Sequence, residues 1–88
     1  MTTNASFRLA VVEDDLDLNK LIRYHLEQAG YKDVLALLTG TGAFEELQRF
    51  QPHLIVLDVM LPGVYGTEIL EQVRASKILK DTPVIMLT

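Results

Sequence analysis

The fold of this chain is indicated most directly by LIVLD at Leu54–Asp58, an apolar run that ends in a single acid. A second stretch, VVEDD at residues 11–15, ends another apolar run in three acids. A carboxylate held at the tip of a buried strand is costly unless a nearby group compensates its charge. Four acids converging from two strand tips would repel one another, so a divalent cation is their natural partner. The two stretches together outline a cluster of acids at the ends of two strands that could bind a divalent metal ion.

The composition fits one small domain, formed by residues 1–88. Because 49% of the residues are apolar, the chain can build a core, although domains of this size are only marginally stable. The net charge is −4, and no basic cluster is present that could follow the phosphates of a nucleic acid. We therefore expect no direct nucleic-acid contact from this segment.

Missing residue types limit the chemistry and the location of the chain. There is no cysteine, which excludes a disulfide, a thiolate metal site and thiol catalysis, and agrees with a reducing cytoplasm. No apolar run has the length of a membrane span, and residues 1–4 (MTTN) lack the basic and apolar parts of a signal peptide. We therefore expect a cytoplasmic protein without a membrane-spanning segment.

Hydrophobic periodicity alternates strand and helix along the chain. Short apolar runs predict strands at residues 7–12, 34–38, 54–57 and 84–87. Helical spacing predicts helices at residues 17–29, 43–50 and 67–75. The apolar runs do not alternate with polar residues, as is typical of parallel strands that are covered on both faces. The order βαβαβαβ therefore predicts an α/β fold, a doubly wound parallel sheet with helices on both faces.

The sequence also predicts helix ends and an apolar helix face. Asp15 or Asp17 is a suitable N-cap for the first helix, and Thr41 is a suitable N-cap for the second. Helical spacing places five apolar residues on one face of the first helix: Leu18, Leu21, Ile22, Leu26 and Ala29. The segment at residues 77–82 is predicted to be a plain connection between the third helix and the last strand.

In open parallel sheets, ligands bind at the carboxyl ends of the strands, where the strand order reverses. If the first and third strands are neighbours, Asp14 and Asp58 meet at that end of the sheet. This neighbourhood is taken from the known flavodoxin-like strand order and does not follow from the residues themselves.

From residue 7 to residue 88 the chain resembles the receiver domain of a two-component response regulator. Three motifs carry the resemblance: the acidic pair Glu13 and Asp14, the stretch DVMLPG at residues 58–63 with Gly66 after it, and VIMLT at residues 84–88. Each motif alone is weak evidence, but three of them at these separations are highly specific. The resemblance implies a flavodoxin-like receiver fold that is incomplete, because receivers continue after the fourth strand with a helix, a strand and a helix.

The resemblance implies a role for each matching residue. Asp58 would be the phosphoacceptor, an aspartyl nucleophile. Mg²⁺, or Mn²⁺ in its place, would bind the carboxylates of Asp14 and Asp58 and the backbone carbonyl of Met60, and would offset charge on the phosphoryl group in transit. Glu13 would act on the cation directly or through a water molecule. Thr88 would be the switch hydroxyl, which bonds a phosphoryl oxygen and reports phosphorylation.

The implied partners are those of a phosphorelay. A sensor histidine kinase or a phosphotransfer protein would donate the phosphoryl group, and an unidentified output domain or effector would respond to it. The chain would be a phosphoacceptor switch and not an enzyme, beyond catalysing its own phosphorylation and dephosphorylation at most.

One departure from the family concerns the segment after the fourth strand. In receivers the fifth strand ends in a Lys that pairs with the phosphoryl group, and that place in the pattern is filled by none of Lys20, Lys32, Lys77 and Lys80. We therefore expect residues 1–88, the N-terminal portion of a receiver, to be impaired in phosphorylation. We also expect a homo-oligomer, because the strand at residues 84–87 would present an unpaired apolar edge.

Two other classes of function remain open from the sequence. A phosphatase of the haloacid dehalogenase kind also uses an Asp nucleophile after an apolar strand, but it needs a second acid two residues later, where this chain has Met60. A non-catalytic interaction module that keeps the receiver shape is the other alternative. The intact set of acids argues against it for the complete domain, while the truncation keeps it open for residues 1–88. Labelling by acetyl phosphate with and without Mg²⁺ separates the three hypotheses.

Overall fold

A computed structural model describes residues 7–87 of the chain, so Thr88, the predicted switch hydroxyl, lies outside the described residues. Strand and helix alternate throughout, in the order β1 (Arg8–Val12), α1 (Leu16–Gln28), β2 (Asp33–Leu37), α2 (Ala43–Phe50), β3 (Leu54–Asp58), α3 (Gly66–Ala75) and β4 (Val84–Leu87). Every predicted element is present, and each end lies within one residue of its predicted position. Within residues 7–87, no helix has the length and the apolar character that crossing a membrane requires.

The four strands form one parallel sheet in the order β2-β1-β3-β4. β1 is therefore the neighbour of β3, as the flavodoxin-like order requires. The register pairs Val12 with Leu57, the last apolar residues of the two central strands. Because parallel strands in this register end side by side, the acids that follow them lie at the same end of the sheet.

The main core lies between the sheet and the helices α2 and α3. Its buried strand residues alternate, as side chains on one face of a sheet must. Its buried members on the strands and helices include Val12, Leu47, Ile55, Leu57, Ile69 and Val73. Leu79 also belongs to it and is 1% exposed, although residues 77–82 were predicted to be a plain connection. That segment has no periodicity from which an inward residue could be predicted.

Helix α1 lies on the opposite face of the sheet, where it contacts β1 and β2. Leu18 and Leu21, which were predicted to lie on its apolar face, are 40% and 53% exposed. The other members of the predicted face are Ile22 and Leu26, which are half-buried, and Ala29, which is exposed beyond the helix end. The apolar face of α1 is therefore only partly covered, because periodicity identifies the apolar stripe of a helix but not what packs against it.

The helix caps follow the prediction at α1 and depart from it at α2. Asp15 is the N-cap of α1, and its side chain accepts a hydrogen bond from the Leu18 N–H at 3.1 Å. Thr41 was predicted to cap α2, but Gly42 takes that place without a side-chain bond. Gly42 has a φ of 75°, a left-handed conformation that glycine adopts without steric cost.

Candidate functional site

The acids that follow β1 and β3 come together at the carboxyl end of the sheet. Glu13, Asp14 and Asp58 each place one carboxylate oxygen within 4.8 Å of the others. Glu13 is buried, Asp58 is half-buried and Asp14 is exposed, so the group is open to solvent on one side. Three carboxylates at this spacing supply hard oxygen ligands from both strand ends, and they could hold one metal ion between them.

The turn after β3 fixes the orientation of Asp58. Its Oδ1 accepts a hydrogen bond from the Met60 N–H at 3.0 Å. The Val59 N–H donates to the carbonyl of Leu87 on β4 at 3.0 Å. The Gly66 N–H donates to the Val59 carbonyl at 2.8 Å, which ties the first residue of α3 to the same turn. Backbone groups of β4, of α3 and of the turn itself therefore hold the end of β3 in place.

Two further predicted site residues lie after the strands. The structure places Met60 beside Asp58, and this residue is 66% exposed to solvent. The bond between them uses the Met60 N–H, and the role of its carbonyl as a metal ligand stays a prediction. Thr88 would follow Leu87 at the end of β4, and its role as a switch hydroxyl also stays a prediction.

Glu13 carries the strongest electrostatic signal of the site. Burial raises the pKa of the Glu13 carboxyl above its ordinary value, and the neighbouring carboxylates of Asp58 and Asp14 raise it further. The Asp15 N–H, which donates to Glu13 Oε2 at 2.9 Å, acts against this rise in pKa because it favours the charged form. A cation would relieve the same crowding of negative charge that raises the pKa of Glu13. The electrostatics of the donor set therefore fit a bound metal ion.

We expect Glu13→Gln to stabilise the metal-free protein at neutral pH. The folded protein binds the Glu13 proton more tightly than the unfolded chain does, so stability falls as the pH rises through the raised pKa and stays low above it. Gln carries no charge and keeps an oxygen that can accept the Asp15 N–H. Thermal unfolding in EDTA should give a higher midpoint for the variant at neutral pH, and the curves should converge as the pH falls.

The control for this prediction is Glu71→Gln, at an exposed acid of α3 away from the three carboxylates. It removes the same charge from the chain, so it corrects for the general effect of net charge on stability. A Glu13→Gln midpoint at or below that of the wild-type protein at neutral pH would contradict the prediction.

Two residues beside the acids were not singled out as functional in the sequence. Asn19 of α1 is 2% exposed, and its side chain donates to backbone carbonyls at the ends of β1 and β2. Gly66 was noted only as part of a motif, yet a Cβ at its position would overlap the carbonyl oxygen of Asp58. One signal was available for Asn19: it precedes Ile22 by three residues and therefore lies on the same face of the helix.

A family model described as the response regulator receiver domain matches residues 9–88. Among curated proteins, the Phosphate regulon transcriptional regulatory protein PhoB of Rhizobium meliloti is 43% identical over 81 residues, covering 92% of this chain and 35% of that protein. The Alkaline phosphatase synthesis transcriptional regulatory protein PhoP of Bacillus subtilis is 40% identical over 81 residues, covering 92% of this chain and 32% of that protein. The chain thus spans about a third of the length of these relatives.

Solved structures show the same fold. The N-terminal domain of a response regulator receiver protein from Methanoculleus marisnigri JR1 superposes with a TM-score of 0.87 at 30% identity, covering 96% of this chain and 68% of that one. The chemotaxis response regulator CheY4 of Vibrio cholerae gives 0.85 at 28% identity, with coverage of 91% and 66%. The receiver domain of sensor histidine kinase PA1611 from Pseudomonas aeruginosa PAO1, solved with a magnesium ion in its active site cleft, gives 0.80 at 25% identity, with coverage of 94% and 68%.

Proposed function

Because the chain belongs to the response regulator receiver domain family, we propose that Asp58 accepts a phosphoryl group from a histidine kinase or a phosphotransfer protein, with the assistance of Mg²⁺. The observation that carries this proposal is the convergence of Glu13, Asp14 and Asp58 within 4.8 Å at the end of the sheet. The chain is a receiver domain of the response regulator family, and we assign the receipt of the signal to this site.

The proposed transfer uses Asp58 as the nucleophile. A carboxylate oxygen attacks the phosphorus of a phosphohistidine, so that a P–O bond forms as the P–N bond breaks and the imidazole leaves with the electron pair. The Met60 N–H, bonded to Asp58 Oδ1 at 3.0 Å, orients the carboxylate before the attack. This turn therefore contributes by positioning the reacting oxygen and not by transferring a proton.

The residues around Asp58 would hold the cation. The carboxylates of Asp14 and Asp58 and the carbonyl of Met60 are the proposed ligands, and Glu13 contributes directly or through a water molecule. Mg²⁺ suits this set because it binds hard oxygens and retains several waters, and Mn²⁺ can replace it. When bound, it offsets the negative charge of the phosphoryl group and of the acids. The magnesium ion coordinated in the active site cleft of the PA1611 receiver domain supports the same choice of metal for this chain.

An output domain or effector would recognise the phosphorylated state at the protein surface next to the acidic site. Thr88, at the end of the β4 motif, would bond a phosphoryl oxygen and pass the change to an output domain or effector. The two curated relatives are named as transcriptional regulatory proteins, so control of transcription is the output that we propose for the whole protein. The domain then works as a switch in the cytoplasm and turns over no substrate of its own.

The experiment that tests the proposed function is labelling by acetyl phosphate with and without Mg²⁺. A covalent phosphoryl adduct that forms only with the cation, detected by intact-protein mass spectrometry, supports the phosphoacceptor function. No adduct under either condition would instead support the interaction module. Steady release of phosphate from a phosphate ester would support the phosphatase, for which the side chain at Met60 offers no acid.

We expect Asp14→Asn to lower the affinity for Mg²⁺ or Mn²⁺ by at least about tenfold, since even indirect partners of a metal contribute that much. The substitution removes one charge from the cluster while it keeps the shape of the side chain. Isothermal titration with each cation measures the change. Asp17→Asn is the matched control, because Asp17 lies in the first turn of α1 outside the cluster. Equal affinities for the two variants would contradict the proposed metal site.

We further propose that residues 1–88, taken by themselves, associate through β4 with a second copy of the same segment. Among residues 7–87, β4 is the last strand of the sheet order, and Ile85 in its middle is 51% exposed. Pro83 removes a backbone donor only before the strand begins. An edge with exposed apolar residues is a site of strand pairing, and pairing about a two-fold axis buries both edges at once.

We expect Ile85→Lys to weaken this self-association, with a dissociation constant raised at least about tenfold, because it places a charge at the apolar centre of the edge. Light scattering across a dilution series measures the change in mass. Leu38→Lys is the control, because Leu38 follows β2 at the opposite side of the sheet and is 47% exposed. A wild-type protein that stays monomeric at high concentration would refute the proposed dimer.

A further inference from the structure

Asn19 connects the start of α1 with the ends of two strands. Its side-chain Nδ2 donates to the Glu13 carbonyl at 2.9 Å and to the Leu37 carbonyl at 3.1 Å. Its backbone N–H donates to the Asp15 carbonyl at 2.9 Å, which is the first hydrogen bond of the helix. A buried amide is retained where its bonds are made, and here they link α1, β1 and β2 at one point.

The backbone that Asn19 binds is the backbone of the acidic site. The Glu13 N–H donates to Leu37 O at 3.0 Å, so the same carbonyl accepts from both Glu13 and Asn19. On the other side of the turn, the Asp15 N–H donates to Glu13 Oε2 at 2.9 Å. Asp15 is itself bound to α1 through its capping side chain. The residues on either side of Asp14, Glu13 and Asp15, are therefore both hydrogen-bonded to the first turn of α1.

The hydrogen bonds that Asn19 makes oppose the electrostatic repulsion among the three carboxylates. Three carboxylates that crowd together repel one another, and the repulsion drives the β1 acids away from Asp58 in the absence of a cation. A turn that is free to move would have to be ordered again each time a cation binds, which lowers the affinity. Hydrogen bonds from a buried side chain on a rigid helix remove that ordering cost in advance.

We infer that Asn19 is a positioning residue, which holds Glu13 and Asp14 against Asp58 so that the three carboxylates can share one cation. The inference rests on the proposed function, because the cation is the ligand of the proposed phosphoryl-transfer site. Asn19 itself would not contact the cation. Asn19 would act through its hydrogen bond to the Glu13 carbonyl and through the start of α1, which carries Asp15.

The test compares Asn19→Ala and Asn19→Ser with a control at a second buried polar side chain. Ser76, which is 7% exposed at the end of α3, accepts from the Leu79 N–H at 3.2 Å and lies outside the acidic cluster. Ser76→Ala therefore removes buried side-chain hydrogen bonding without touching the site. Asn19→Ser keeps a shorter donor and provides a milder variant should the alanine variant fold poorly.

Two measurements distinguish positioning from simple stabilisation. In the metal-free protein, amide hydrogen exchange of the Asp15 N–H should be at least about tenfold faster in the Asn19 variants, because its acceptor, the Glu13 side chain, has lost its anchored backbone. In titrations with Mg²⁺ and Mn²⁺, affinity should fall about tenfold or more, the range found for groups that orient metal ligands. Ser76→Ala should lower the thermal midpoint and change neither quantity.

Each outcome bears on the inference. The inference is supported if the Asp15 N–H exchanges faster and the cation binds more weakly in the Asn19 variants but not in Ser76→Ala. Asn19 variants that lose thermal stability as Ser76→Ala does, while they keep wild-type exchange and affinity, would overturn it and leave the proposed function intact. A wild-type protein that binds neither cation would overturn the proposed metal assistance, and the inference with it.

Discussion

We expect Asp58→Asn to abolish covalent labelling by acetyl phosphate completely. An amide oxygen is a poor nucleophile, and no other side chain of the cluster occupies the end of β3 beside the Met60 N–H. The wild-type protein should acquire one phosphoryl group in the presence of Mg²⁺, and peptide mapping should place that group on Asp58. The loss of labelling is complete because the substitution replaces the nucleophilic carboxylate itself and not a residue that orients it.

The matched control for this variant is Asp15→Asn. Asp15 stands next to the cluster and caps α1, and Asn caps a helix as well as Asp does. This variant loses one charge close to the site, yet it should be labelled like the wild-type protein. Beryllofluoride binding, followed by mass spectrometry, provides a second readout of the same acceptor. An adduct that persists in Asp58→Asn, or one that maps to Glu13 or Asp14, would show that the acceptor is misassigned.

The second large effect is expected for Gly66→Ala. A Cβ at Gly66 would overlap the Asp58 carbonyl oxygen and lie 2.9 Å from its carbonyl carbon and 3.0 Å from the Cα of Val59. These are backbone atoms of the β3 end, so no side chain can rotate away, and α3 must move or β3 must bend. We expect a loss of about 3 kcal/mol in the free energy of unfolding, at the upper end of the range for overpacked sites.

The same substitution should reduce labelling, because the displaced backbone is that of the phosphoacceptor. Gly63→Ala is the control: Gly63 has a φ of 78°, and a Cβ there would meet nothing within 4 Å. It carries only the strain of a left-handed residue, about 1 kcal/mol. Urea unfolding gives the two stabilities, and acetyl phosphate labelling gives the two rates. Equal losses for Gly63→Ala and Gly66→Ala would mean that the close contact at Asp58 has no energetic consequence.

The elements of this fold could be predicted because their signals are local. Each apolar run became a strand and each helical spacing became a helix, with ends within one residue of the predicted position. The acids of the site were visible for the same reason, since each follows directly after an apolar run. Asp15 as the cap of α1 also follows from its immediate neighbours.

The approach of β1 to β3 was predicted only through the resemblance to a known fold. Residues far apart in the sequence form that pair, and neither strand carries a pattern that selects its partner. The structure confirms the pairing and brings Asp14 to Asp58. The candidate site was therefore predictable as a set of residues, while its assembly depended on knowledge of the strand order.

Local pattern alone determined which segments are strands and helices and which acids end the strands, because such signals reside in adjacent residues. The tertiary structure decided which side chains are covered, exposing Leu18 and Leu21 and burying Asn19. It also left no space for a side chain at Gly66 and raised the pKa of Glu13. Each of these depends on distances between atoms of different elements. Packing sets those distances, and a single segment of sequence does not contain them.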